Sequence, residues 1–324
     1  MSIRGSLTIA LVLALLAPPS AGVAQSQRIF RVGYLGGGPP SPPQPTMIGF
    51  VRGLRELGYV EGKNLAIEYR WVDGDNEGFS ALAAELVRLK VDVIVAHSEP
   101  AVRAAKQATA TIPIVLLNVP DPVGSGLVTS LAHPGGNVTG VSSQSADFIG
   151  KLLELSKEVI PQLARVAAIT PTHRGANRKA LETAAPALGI ALHTFPLRDS
   201  TDITQAFTMI AQQGDQAVVV LPDHVTWFHR VQILDLAGRS RLPTICIYDV
   251  WAQAGCLLAY GPNLPDMWYR AGMFAGKLLN GAKPAQLPVE QPTKFDLVIN
   301  LKTAKALRLT ISPSLLGRAD QVID

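Results

Sequence analysis

His97, Ser98 and Glu99 follow the apolar run 91–96 directly and precede a segment with helical spacing. A strand-to-helix junction leaves the first helix amides without intrahelical partners. A ligand carboxylate there could accept hydrogen bonds from those amides and from the Ser98 hydroxyl. The same hydroxyl could instead cap the helix. Glu99 either offsets the helix dipole or, facing a cleft, attracts a ligand amine. His97 is either a ligand contact or a structural imidazole. The three side chains diverge from adjacent positions, so proximity alone makes no hydrolytic triad of them.

Asp121, in an Asp-Pro pair, could anchor an ammonium group or simply fix its turn. Asp223 and His224 follow the apolar run 217–221 and read as a polar ligand pair or as a helix N-cap with its neighbour. Tyr248 and Tyr260 offer flat faces with a polar tip, suited to stacking on a ring or to packing a hinge. In open α/β sheets, ligands sit outside the carboxyl ends of the parallel strands. That rule adds Gly37, Asn118, Thr139, Ser142 and Thr172 to the candidates. Cys246 and Cys256 are either a disulfide, if the chain is exported, or two small buried residues. No His cluster accompanies them, so they make no zinc site.

The elements that would position these groups alternate regularly. Strands are expected at 29–35, 65–71, 91–96 and 112–117, with helices between them. Met47, Phe50, Val51 and Leu54 recur at helical spacing, with Thr46 as a cap and Gly58 as a stop. The pattern then restarts, with strands at 166–170, 190–195, 217–221 and 244–247 and helices at 147–159, 176–188, 202–213 and 225–239. Two such series imply two doubly wound α/β units with right-handed crossovers. The stretch 121–143 between them is rich in Gly, Pro and Ser and is expected to act as a hinge.

Composition narrows the function. Residues 1–24 read as a secretory signal peptide: Arg4, the apolar run 7–17, a Pro18-Pro19 break and small residues at 22–24. The run is too short to span about 30 Å of hydrocarbon. Cleavage after Ala24 would leave 300 of the 324 residues, enough for two lobes. The net charge of +4 comes without a Lys/Arg run, so no nucleic-acid surface is expected. Gly33, Gly36, Gly37 and Gly38 follow a strand, but Pro39, Pro40, Pro42 and Pro43 stop the loop from turning into a dinucleotide-binding helix. No Gly-x-Ser-x-Gly, P-loop or metal-ligand spacing occurs. The chain is therefore expected to be a binder without a cofactor and not an enzyme. A periplasmic sensor for a membrane receptor and, further off, a cryptic hydrolase are the alternatives.

Several long segments carry a resemblance to a known family. They are GFVRGLRELGYVEGKNLAIEYRW (49–71), LAAELVRLKVDVIVA (82–96), TIPIV (111–115), DPVGSGLVTSLAHPGGNVTGVS (121–142), AYGPN (259–263) and the block 281–323 from GAKPAQLPVEQPTKF to LLGRADQVI. They resemble the substrate-binding proteins of ABC importers of the tryptophan-binding, TrpX-like type. That resemblance implies the type I periplasmic binding fold: two Rossmann-like, doubly wound lobes joined by a three-crossover hinge, with ligand in the cleft. One lobe would hold 28–125 plus about 260–285, the other about 140–250 plus about 290–324. The crossovers would lie near 121–142, 248–260 and 287–297. A helix over 266–279 would return to the first lobe. The implied partners are a small organic ligand, such as an amino acid or related metabolite, and the membrane permease of an ABC importer. The protein is expected to be a monomer, exported to the periplasm by its signal peptide. Two departures stand out. His97-Ser98-Glu99-Pro100 replaces the family's usual two small residues, Ser or Thr, then Pro. Cys256 stands where relatives usually have Gly.

Overall fold

The structure is a computed structural model that describes residues 28–38, 45–72, 78–172 and 175–324. Residues 1–24, expected to be a signal peptide, and the Pro-rich loop 39–44 lie outside the described residues.

Continuous apolar runs become strands covered on both faces. Val93, Ile94, Val95 and Ala96 are at most 1% exposed. They form the centre of a parallel sheet of β1 (Phe30–Gly37), β2 (Leu65–Val72), β3 (Val93–His97), β4 (Ile114–Val119) and β5 (Val138–Ser142), in the order β2-β1-β3-β4-β5. Its connecting helices are α1 (Pro45–Glu56), α2 (Gly78–Arg88) and α3 (Glu99–Ala108). α1 begins at Pro45, so Thr46 lies inside its first turn and does not precede the helix as a cap. Gly58, at φ 87°, follows the end of α1 as expected.

The second sheet is built the same way. It contains β6 (Arg165–Pro171), β7 (Ala191–Leu197), β8 (Ala217–Val220), β9 (Thr244–Cys246), β10 (Leu258–Pro262), β11 (Phe295–Asn300) and β12 (Gln321–Ile323). Its order is β12-β11-β10-β9-β8-β6-β7, with β11 antiparallel to β10 and the other neighbours parallel. The helices are α4 (Ser145–Val159), α5 (Ala176–Ala187), α6 (Thr201–Gln213), α7 (His224–Phe228), α8 (Arg230–Arg239), α9 (Asp249–Gln253), α10 (Leu264–Leu279), α11 (Leu301–Ala306) and α12 (Pro313–Leu316). The single helix expected over 225–239 is thus two, α7 and α8, meeting at His229.

α10 leaves the second sheet and packs on α1 and on β3, β4 and β5 of the first. Small residues allow the two helix backbones to touch. A Cβ on Gly272 would sit 2.2 Å from the Phe50 carbonyl oxygen, and one on Gly53 would sit 2.2 Å from that of Tyr269.

The chain passes between the sheets three times, and the first passage corrects the expectation. Most of 121–142 is not a crossover. It holds a turn and then β5, the edge strand of the first sheet, and the chain leaves only after Ser142. Likewise 248–260 carries α9 and most of β10, and the second passage is at Asn263, before α10. The third follows Glu290 and reaches β11 at Phe295. The passages are bonded to one another. Ser142 N–H donates to Glu290 O (2.9 Å), Glu290 N–H to Gly140 O (2.8 Å), and Asn263 N–H to Lys294 O (3.0 Å).

Cys246, the last residue of β9, is joined by a disulfide to Cys256, just before β10. Both are fully buried. The bridge closes a loop of sequence separation 10 that contains Tyr248 and α9.

Candidate functional site

The carboxyl ends of β1, β3 and β4 and those of β6, β8 and β9 line one shared cavity of about 390 Å3. Ligand pockets commonly lie in this size range. Strand ends place Gly37, His97 and Asn118 on one wall, and Thr172, Asp223 and Tyr248 on the other. Ser98 and Glu99, at the start of α3, complete the set of expected residues that meet there.

Aromatic side chains cover both walls. Tyr34, Trp71, Phe79 and Trp268 stand on the first-sheet side, with Trp227, Phe228 and Tyr248 opposite. Three of the four tryptophans therefore line the cavity; the fourth, Trp251, is 1% exposed in the core. Tyr34 and Trp71 lie 5.0 Å apart between ring centroids, and Trp227 and Tyr248 6.3 Å.

Polar contacts brace the first wall and, through Tyr248, tie the second to it. The Trp268 Nε1–H donates to the Tyr34 hydroxyl at 3.2 Å. The Tyr248 hydroxyl reaches from the second-sheet wall to Asn118 Oδ1 at 3.0 Å. Asn118 Nδ2 lies 3.3 Å from His97 Nε2. The His97 ring stands edge-on to Trp268, with centroids 4.8 Å apart. Burial lowers the imidazole from 6.5 to about 4, so His97 is uncharged at neutral pH. Burial pushes the Tyr34 phenol up and raises Tyr248 to about 12, keeping both neutral.

Two residues here hold backbone conformations that L side chains rarely adopt. Ser98 has φ 89° and Asn118 has φ 59°. Such strain persists where the surroundings impose it, often at functional sites. The Ser98 side chain makes no capping bond to α3, which speaks against the cap reading. Charged groups around the cavity are already engaged. Glu99 pairs with Arg103 at 2.7 Å, Arg178 with Glu182 at 2.9 Å, and Arg198 with Asp202 at 2.7 Å. Asp223 caps α7, accepting the Thr226 amide at 2.8 Å, while the Thr226 hydroxyl accepts the Asp223 amide in return.

Four expected site residues lie elsewhere. Asp121 is exposed, and its Oδ1 accepts the Gly124 amide at 2.8 Å, which fixes the turn. The Thr139 hydroxyl donates to Leu287 O at 2.7 Å, and that of Ser142 donates to Glu290 O at 3.3 Å. Both are buried and serve to latch β5 to the third passage. Tyr260 stacks on Phe295 in the second sheet, with centroids 5.9 Å apart.

Sequence reasoning also missed residues that the fold brings in. Trp71 stands at the carboxyl end of β2, so the strand-end rule could have found it. Trp268, on α10, gives no such signal. Asn177, in the first turn of α5, lines the wall, and its side-chain oxygen is buried without a partner among the described residues. Such an atom can accept a hydrogen bond from a ligand or from water. Among the described residues there is no group of three or more metal-ligating side chains and no helix long and apolar enough to cross a membrane.

The family model for ABC transporter substrate binding proteins matches residues 44–323. A tyrosine-binding protein of Clostridioides difficile (strain R20291) is 30% identical over 269 residues, which is 80% of this chain and 75% of that protein. An ABC domain from Streptococcus pneumonia, solved in complex with L-Trp, is 27% identical with a TM-score of 0.84, covering 91% of this chain and 100% of that one. The ligand-free, open structure of a substrate binding protein with adhesive properties from Clostridium difficile is also 27% identical. It covers 91% and 99%, but its TM-score is 0.67. At equal identity, the TM-score to the relative solved with L-Trp is higher than that to the ligand-free, open one.

Proposed function

This chain belongs to the ABC transporter substrate-binding protein family, and from that premise we propose that it captures a small molecule carrying a flat ring and hands it, unaltered, to the permease of an ABC importer. The observation that carries the reading is the pair of aromatic walls, with tryptophans contributed from both sides of one cavity. A ring between such faces buries apolar area and gains stacking of about 0.5–1.5 kcal/mol per aromatic pair. The closure that brings Tyr248 to Asn118 also encloses the guest. A ligand favours that state only through contacts absent when the lobes part. Aromatic amino acids and related aromatic metabolites are the class proposed. Their polar end would meet Ser98, His97 and Asn177.

The protein is proposed to act as a monomer in the periplasm after removal of residues 1–24. N-terminal sequencing of the exported form checks this; an intact leader on the functional protein refutes it.

Thermal-shift measurement on the mature protein tests the binding. L-tryptophan, L-tyrosine and arylcarboxylates should raise the melting temperature, and sugars and aliphatic amino acids should not. Recovery of the compound unchanged after incubation separates carriage from turnover. A melting temperature that rises with a sugar and is unmoved by every aromatic compound would refute the proposed class.

A further inference from the structure

We propose that His97 selects the ligand's polar group: it stands as an uncharged Nδ1–H donor, held in that tautomer by Asn118 and Tyr248, and takes a hydrogen-bond acceptor such as a carboxylate or carbonyl oxygen. This rests on the binding reading above and names what that site recognises.

The argument follows the direction of each bond. The Tyr248 hydroxyl donates to Asn118 Oδ1 at 3.0 Å. With its oxygen so engaged, the Asn118 amide turns its Nδ2 toward His97, 3.3 Å from Nε2. An amide NH2 group donates and does not accept. His97 Nε2 must therefore be the bare, accepting nitrogen, and the ring's proton resides on Nδ1. Among the described residues the hydrogen bond to the ring is the one from Asn118, so Nδ1–H is the position left for a guest. The edge-on contact with Trp268, itself bonded to Tyr34, restrains the ring from turning.

The relay spans both lobes. Tyr248 belongs to the second, and Asn118 and His97 to the first. Parting of the lobes would withdraw Tyr248 and remove its hold on the orientation of the Asn118 amide. The donor is thus set by the same movement that encloses the ligand. A site built this way discriminates strongly against an analogue that lacks the acceptor, because a desolvated N–H is left unpaired.

The test uses the full mature protein with 15N-labelled histidine and three variants: His97→Phe, Asn118→Asp and Tyr248→Phe. Nitrogen NMR at neutral pH should place the His97 proton on Nδ1 in the wild type. Asn118→Asp supplies an acceptor in place of the amide donor and should move a proton onto Nε2. Tyr248→Phe frees the amide and should yield a mixture of tautomers. Calorimetry with L-tryptophan, L-tyrosine, benzoate and phenylacetate should show a 10- to 100-fold loss of affinity in His97→Phe, with the unfolding transition retained. Should His97→Phe not fold, Asn118→Asp and Tyr248→Phe carry the test through the same two readouts. Wild-type signals with the proton on Nε2, or an aromatic acid that binds His97→Phe as tightly as wild type, would overturn the role of His97 while leaving the binding reading intact. If none of the four compounds binds the wild type, the aromatic reading falls, and the role of His97 falls with it.

Discussion

The depressed imidazole of His97 has a measurable effect on stability. In the folded protein, burial lowers the group from its ordinary 6.5 to about 4. The unfolded chain returns it to the ordinary value, so as pH falls the unfolded state takes up the proton first. Stability from this group is complete above about pH 6.5 and drains away between there and about pH 4. At 1.36 kcal/mol per pH unit, the interval amounts to roughly 3 kcal/mol. The Asn118 amide works in the same direction, since a proton on Nε2 would face another donor. The assay is urea unfolding of wild type and His97→Phe at pH 7.5, 6.5, 5.5 and 4.5. Groups common to both proteins cancel in the difference. The wild type should lose roughly 2–3 kcal/mol more than the variant across that range. Parallel losses in the two proteins would refute the reasoning, because they would mean that His97 titrates alike in the folded and unfolded chains.

Three further outcomes follow from the packing. Gly272→Ala drives a methyl group to within 2.2 Å of the Phe50 carbonyl oxygen and should destabilise the protein by about 1–3 kcal/mol, read as a lower melting temperature. An unchanged melting temperature would mean that α1 and α10 are not in backbone contact. Reducing the Cys246–Cys256 bridge, or replacing both residues with Ser, reopens a short loop and should lower stability by about 2–3 kcal/mol, read by urea unfolding with and without reductant. Asp121→Ala removes the bond to the Gly124 amide and should cost about 1 kcal/mol of stability with ligand affinity unchanged. A tenfold loss of affinity with stability intact would return Asp121 to the cleft.

The sequence was legible where a single local rule decides the outcome. Val93–Ala96 and Ala217–Val220 read as buried strands because unbroken apolar runs have few other stable placements. The strand-end rule likewise picked out His97, Asn118 and Tyr248, which line the cavity. It failed where distant partners decide. Val138–Ser142 sits in a stretch rich in Gly, Pro and Ser, yet it forms an edge strand because 287–290, 148 residues further along, supplies acceptors for its hydroxyls. Thr139 and Ser142 looked like ligand contacts because nothing nearby in the chain reveals that those bonds are already made. The aromatic walls were hidden for a similar reason. Aromatic content is only 6%, and Trp71, Trp227 and Trp268 come from a strand, a short helix and a returning helix that share no local pattern.

The return of α10 also constrains the order in which the molecule can mature. α1 turns Gly49 and Gly53 toward a helix that begins at Leu264, beyond the whole of β6 to β10. A nascent chain released to fold from its N-terminus reaches β5 with that face still uncovered. The lobe that starts first is therefore the one that finishes late, after most of the other has been made. Truncation before Leu264 should therefore damage the first lobe, by uncovering α1, as well as the second, which loses β11 and β12.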